Sequence, residues 1–198
     1  MLVTTKAIVL NLQRKGDRSH ILHTYTAYGG RINFMLYGVG GKKKSAAPYA
    51  PLSEIEITAD IRPDRPIPTV KEVHLLTSIA SVDPSLTLAS VKLFISEILY
   101  RILRHPMADE ALYNFLEHSL AILDQSTELK DFHTSFLVGF AAHLGFAIDE
   151  AEHPELLRTP NSRTDRQLLI RQLCAYYALH LDDFQYPLSL DVLTEVFD

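Results

Sequence analysis

The run Gly38-Val39-Gly40-Gly41-Lys42-Lys43-Lys44-Ser45 is the densest piece of potential chemistry in the chain. Glycines let a backbone approach a ligand closely, and three adjacent ammonium groups make a strongly positive tip. That combination suits contact with nucleic-acid phosphates. It does not suit a triphosphate-binding loop, because Gly40-Gly41-Lys42 lacks the upstream glycine and the following helix that such a loop needs. G-x-G-x-x-G is absent as well, since the glycines lead into lysines. The plain alternative is a solvated lysine run that keeps a hairpin tip from aggregating. Neighbouring charge favours the nucleic-acid reading: residues 1–45 hold eight basic side chains and one acid, Asp17. Lys6, Arg14, Lys15, Arg18 and Arg31 thus join Lys42, Lys43 and Lys44 as candidate DNA-binding cations. Tyr37, and Tyr28 beside it in the count, offer rings for base stacking, although a strand tyrosine is more often half-buried packing.

Other chemistries find little support. No G-x-S-x-G elbow is present to build a nucleophile. The nine histidines fall outside H-E-x-x-H or any carboxylate partner at helical spacing, His20/His23 and His133/His143 included. The single cysteine, Cys174, excludes an internal disulfide and a cysteine zinc cluster, and reads as a small core residue. No catalytic residue, metal or cofactor is expected, and the chain is read as not an enzyme. Purified protein is expected to carry no stoichiometric zinc, and a chelator should leave its melting temperature unchanged. No run of 18 apolar residues predicts a membrane span. The opening MLVTTKAIVL lacks the features of a secretory signal, so a cytoplasmic location is expected.

The elements that must position these residues fall into two groups. Thr5–Leu12, His20–Thr26, Arg31–Tyr37, Leu52–Thr58 and Thr69–Leu76 read as short strands bounded by turn residues. In the third, Ile32, Phe34 and Leu36 point one way and Arg31, Asn33, Met35 and Tyr37 the other. Five such strands fit a small closed barrel of the OB or SH3-like kind; counting strands does not choose between them. After Asp83 the period becomes helical. Asp83-Pro84 reads as an N-cap with a first-turn proline, and His105-Pro106 as the stop. The buried face of this first helix is Val91, Phe94, Ile95, Ile98 and Ile102. A second helix is predicted from Asp109, and a central one over 129–144 with Phe132, Phe136, Phe140 and Leu144 at four-residue spacing. Residues 147–163 read as a loop. Thr164 with Gln167 resembles a capping box opening the next helix, and Ser189–Phe197 gives a last short one. Charge divides along the same line. Residues 1–82 balance at +5 and residues 83–198 at −10, which indicates two modules with different partners.

From Lys6-Ala7-Ile8-Val9-Leu10 onward the chain resembles the RecO family of bacterial recombination mediators. The likeness runs through Ser19-x-x-Leu22-x-x-Tyr25-Thr26, then Gly30-Arg31, Gly38, the basic segment ending at Ser45, and Pro48-Tyr49-x-Pro51-Leu52. It continues through Ile98-Leu99-Tyr100 with Leu103, and Phe136 followed by Ala142-His143-Leu144-Gly145-Phe146. The resemblance implies an α+β chain: a five-stranded OB-fold barrel over 1–82 that binds DNA, then an all-α domain over 83–198 that binds partners. It implies binding of single- and double-stranded DNA, strand annealing, and action with RecR to load a recombinase, at the bacterial nucleoid. It also implies capture of the acidic, Phe-ended tail of the single-stranded-DNA-binding protein. Relatives carry an Arg pair before the central-helix phenylalanine and, in many cases, four zinc cysteines. Here Thr134-Ser135 replaces the pair and Ala147–Thr164 has no cysteine. Lys130, His133, Arg101 and Arg104 are therefore the candidate partner-binding residues, and zinc is not expected. Two other readings stand beside this one: an OB-fold adaptor that makes protein contacts only, and an RNA- or ribosome-associated OB protein.

Overall fold

The computed structural model describes residues 1–39, 47–62, 64, 66–76, 86–126 and 129–196. Five strands come first: β1 (Leu2–Arg14), β2 (Ser19–Thr26), β3 (Gly30–Tyr37), β4 (Glu54–Asp60) and β5 (Thr69–Leu75). They close into a barrel in the order β1-β2-β3-β5-β4, with β1 pairing both β2 and β4. β3 meets β5 in parallel, Met35 opposite Thr69. This order is that of the OB-fold, which settles what strand counting left open. A bulge between Val9 and Asn11 lets the long β1 serve two neighbours. Alternation fills the interior with Ala7, Val9, Leu22, Phe34, Leu36, Ile55, Ile57 and Ala59.

Among the described residues six helices follow: α1 (Leu86–Ile102), α2 (Glu110–Gln125), α3 (Phe132–His143), α4 (Pro154–Leu157), α5 (Arg163–His180) and α6 (Ser189–Val196). The expected cap Asp83-Pro84 lies outside the described residues. The α1 face is as read for Val91, Phe94, Ile95 and Ile98; Leu99 and Leu103 are buried too, whereas Ile102 is half-exposed. Asp109 caps α2, its Oδ1 accepting from the Leu112 N–H at 2.9 Å. The capping expectation for α5 shifts by two residues. Ser162 is the N-cap, accepting from the Asp165 N–H at 3.2 Å, and the Asp165 carboxylate accepts from the Asn161 N–H. A single turn, α4, interrupts the expected loop.

The chain divides into two compact units, and the division cuts through helices. The first comprises Met1–Val82 with Ser96–Tyr113, the second Asp83–Ile95 with Asn114–Asp198. In the first, Ser96–Tyr113 lies on strand positions that alternate with the interior ones. The Tyr100 ring meets His23 edge-on at 5.0 Å, and Tyr113 stacks on Tyr25 at 6.4 Å. Burial of Tyr25 together with Asp109 pushes its hydroxyl up to about 12. Gly30, at φ +64°, passes so close to Met107 that a Cβ there would lie 2.1 Å from the Met107 carbonyl oxygen.

The second unit is built on an aromatic ladder. Phe136 stacks between Phe115 (5.5 Å) and Phe140 (5.7 Å), and Phe140 faces Tyr177 at 6.2 Å. The Tyr177 hydroxyl donates to the Leu137 carbonyl at 2.7 Å, satisfying its polar end inside the core. Cys174 is fully buried, and burial pushes its thiol up to about 12, as for an inert core residue.

Candidate nucleic-acid interface

The turn between β1 and β2 carries Arg14, Lys15 and Arg18. It is closed by the N–H groups of Lys15 and Gly16, which donate to the Ser19 carbonyl at 3.0 and 3.2 Å. Arg14 reaches Asp17 at 3.5 Å, but both side chains are largely exposed, so the pair contributes little. Ser19 pairs with Tyr37, and the Gly38 N–H donates to the Arg18 carbonyl at 2.9 Å. The ladder thus fixes the end of β3 against the cationic turn. Gly38 has φ +76°, which lets the chain turn away there, and Tyr37 is left 57% exposed. Lys42, Lys43 and Lys44 lie outside the described residues; the segment carrying them starts two residues beyond Gly38.

A second loop reaches β3 from the other side. The Met35 N–H donates to the Pro68 carbonyl at 2.8 Å, so the β4–β5 connection adjoins the same strand. It carries Arg62, half exposed and paired with Asp60 at 2.6 Å. Hydrogen bonds from Arg62 and the terminal ammonium hold the Asp60 carboxyl down at about 2. Sequence reading passed over Arg62. In an OB barrel the β1–β2 and β4–β5 loops flank one binding face.

Lys6 and Arg31 do not join this end. Lys6 pairs with Glu56 across β1 and β4, and its carbonyl accepts from the Ala27 N–H, near the exposed Tyr28. Arg31 lies six residues before Tyr37, about 20 Å along the strand. Its Nη1 donates to the carbonyls of Tyr100 (3.3 Å) and Leu103 (3.1 Å), its Nε donates to Asn33, and its Cζ sits 4.6 Å from the Tyr100 ring centroid. Arg31, a candidate DNA-binding cation in the sequence, is thus engaged by the end of α1 instead of standing beside Tyr37. The guanidinium holds the C-terminal carbonyls of α1, where the helix dipole favours a cation, and burial depresses its ordinary pKa.

The four candidate partner-binding residues are split between the units. Arg101 and Arg104 belong to the first. Arg101 donates twice to Glu97 Oε1 (2.9 and 2.6 Å), and Arg104 Nε donates to the Arg101 carbonyl at 2.6 Å. Lys130 and His133 belong to the second. His133 is 1% exposed and T-shaped against Phe94, so it is a core residue and not a surface cation. Burial first, and Arg166 second, push its pKa down to about 4, against the pull of Asp131. It forms the floor of a cleft lined also by Arg163, Arg166, Gln167, Ile170, Leu193 and Thr194. Arg163 and Arg166 carried no signal in the sequence beyond lying in the first turn of a helix.

Among the described residues, no three His, Cys, Asp or Glu side chains group so as to hold a metal ion, and no helix is long and apolar enough to cross a membrane. Comparison with known proteins places the chain. A family model described as Recombination protein O N terminal matches residues 1–79, and one described as Recombination protein O C terminal matches residues 85–155. DNA repair protein RecO of Flavobacterium psychrophilum is 30% identical over the full length of both chains. The proteins of the same name from Phocaeicola vulgatus (30%) and Bacteroides fragilis (28%) align over both full lengths too. With both halves of the family matched in order on an OB barrel and a helical part, the chain belongs to the RecO family of DNA repair and recombination proteins.

Proposed function

We propose that this chain is a non-catalytic recombination mediator that binds single- and double-stranded DNA at the β1–β2 end of its barrel. Arg14, Lys15, Arg18 and Lys42–Lys44 contact phosphates and Tyr37 stacks a base, with Arg62 on the flanking loop. The observation that carries this reading is the bond from Gly38 to Arg18. It joins a cationic turn and an exposed ring at one end of an OB barrel. On this reading residues 1–82 form the DNA-binding domain and 83–198 the partner-binding domain. The protein anneals complementary strands and acts with RecR at the nucleoid to load recombinase onto coated DNA. The acidic tail of the single-stranded-DNA-binding protein docks on the second module. Lys130 and the cleft at His133 support that placement, because Arg163, and Arg166 in its pair with Asp131 at 2.7 Å, lie beside apolar Ile170 and Leu193.

A salt titration with fluorescent single-stranded DNA tests the reading. Log affinity should fall linearly with log salt, and Lys42→Ala/Lys43→Ala/Lys44→Ala should flatten the slope by about 0.7 per lost phosphate contact. Tyr37→Ala should cost about 1–3 kcal/mol of affinity, the range for one stacked base. Arg31→Ala should leave the slope unchanged. A slope near zero in the unaltered protein would remove the DNA reading, and tighter binding to structured RNA would replace it.

A further inference from the structure

Leu22, Phe34 and Leu36 point into the barrel, so the odd-numbered residues of β2 and β3 line its outer face. Strand pairing sets them in rows: Ser19 with Tyr37, Ile21 with Met35, His23 with Asn33, and Tyr25 with Arg31. In an OB-fold this is the face that carries an oligonucleotide. Here the chain itself takes the last two rows. Tyr113 stacks on Tyr25, the Tyr100 ring meets both His23 and the Arg31 guanidinium, and Tyr25 and His23 are 2% and 7% exposed. The polar atoms of the third row are engaged as well. Arg31 Nε can only donate, which fixes Asn33 Oδ1 as its acceptor at 3.1 Å. The His23 Nδ1–H therefore donates to the same oxygen at 2.7 Å, and Nε2 lies 3.2 Å from the Gln13 side-chain amide. Neither ring nitrogen is left for a base.

The first two rows differ. Tyr37 is exposed and Met35 half-exposed, about 7 Å apart along β3. Cations flank them on both sides. Arg14, Lys15 and Arg18 lie on the turn that meets Tyr37, and Arg62 on the connection whose Pro68 carbonyl accepts the Met35 N–H. A thioether is polarizable and adaptable in shape, so it suits the face of any base. We propose that a single strand of DNA bound at this end lays one base on Tyr37 and the next on Met35. It then leaves the barrel at Asn33, turned away where Ser96–Tyr113 rests on β2 and β3. Resting on the DNA reading above, this path confines stacking to about two nucleotides, below the roughly 4–16 that an OB-fold commonly engages. Duplex DNA, whose bases are already stacked on one another, meets only the cations.

Two methionines supply the test. Met35 lies on the path, and Met107 lies beyond its end, against Gly30 and 73% exposed. The full chain, its methionine methyl groups labelled with carbon-13, is titrated with an oligothymidylate of about eight nucleotides while anisotropy follows binding. The Met35 signal should move upfield under the base ring current and saturate with the anisotropy, while the Met107 signal stays in place. A blunt duplex of the same length should leave Met35 unmoved. Met35→Ala should weaken single-strand binding by at least about fivefold and leave duplex binding unchanged. If DNA binds and Met107 moves together with Met35, the strand crosses the whole face and the proposal fails. It fails too if DNA binds and Met35 stays in place, or moves equally with duplex. Absence of any DNA binding would remove the underlying reading and the path together.

Discussion

Gly30→Ala is expected to destabilise the first unit by about 3 kcal/mol or more. Two independent effects act at this position. The backbone has φ +64°, a left-handed conformation that costs a side-chain-bearing residue about 1–2 kcal/mol. The added Cβ would also lie 2.1 Å from the Met107 carbonyl oxygen, and that atom is backbone, so no rotamer change relieves the clash. The Arg31 N–H donates to the His105 carbonyl next door, so displacing His105–Met107 costs a further hydrogen bond. Urea denaturation should show a lower midpoint. Near-ultraviolet dichroism should change with it, because Tyr100 and Tyr113 are held by the same segment. An unaltered midpoint would mean that the segment does not rest on Gly30.

The second large effect is a pH dependence set by His133. Its folded pKa of about 4 lies below the 6.5 of a free imidazole, so between these values the unfolded chain binds a proton that the native protein does not. Stability is therefore full above pH 6.5 and falls as pH drops from 6.5 toward 4, by about 3 kcal/mol in all. Below 4 this contribution levels off. Arg166 lowers the pKa and Asp131 raises it, so Asp131→Asn should depress it further and extend the loss to lower pH. His133→Phe should remove this component of the pH profile. An unchanged profile in His133→Phe would place the acid sensitivity elsewhere.

Much of the fold could be read from local pattern. The alternation in Arg31–Tyr37 placed Phe34 and Leu36 inside, and the four-residue stripe placed Phe136 and Phe140 in the helical core. Both follow from the chain's own periodicity. What escaped depends on partners distant in sequence. Arg31 was grouped with the other cations because charge counting cannot see Tyr100, 69 residues away. That His133 is buried could not be seen from its neighbours in sequence, because the burial depends on Phe94 and on the residues of α5 and α6 around it. The cap of α5 was expected at Thr164 and lies at Ser162, because the bond to the Asp165 N–H that decides it is visible only in the folded turn. Joining of the β1–β2 turn to Tyr37 was half legible: both were named, but the Gly38–Arg18 bond that unites them is a property of barrel closure.

The clamp at Arg31 alters how this sequence should drift over evolutionary time. Lysine cannot reproduce a planar group that stacks on a ring while donating to two carbonyls, so even a charge-conserving exchange at position 31 should be selected against. The pressure comes from architecture and would persist in a lineage that had abandoned nucleic acid altogether. Persistence of Arg31 among descendants would thus report an intact barrel. Turnover at Arg14, Lys15 and Arg18, whose charges are interchangeable toward phosphate, would report what the lineage still binds.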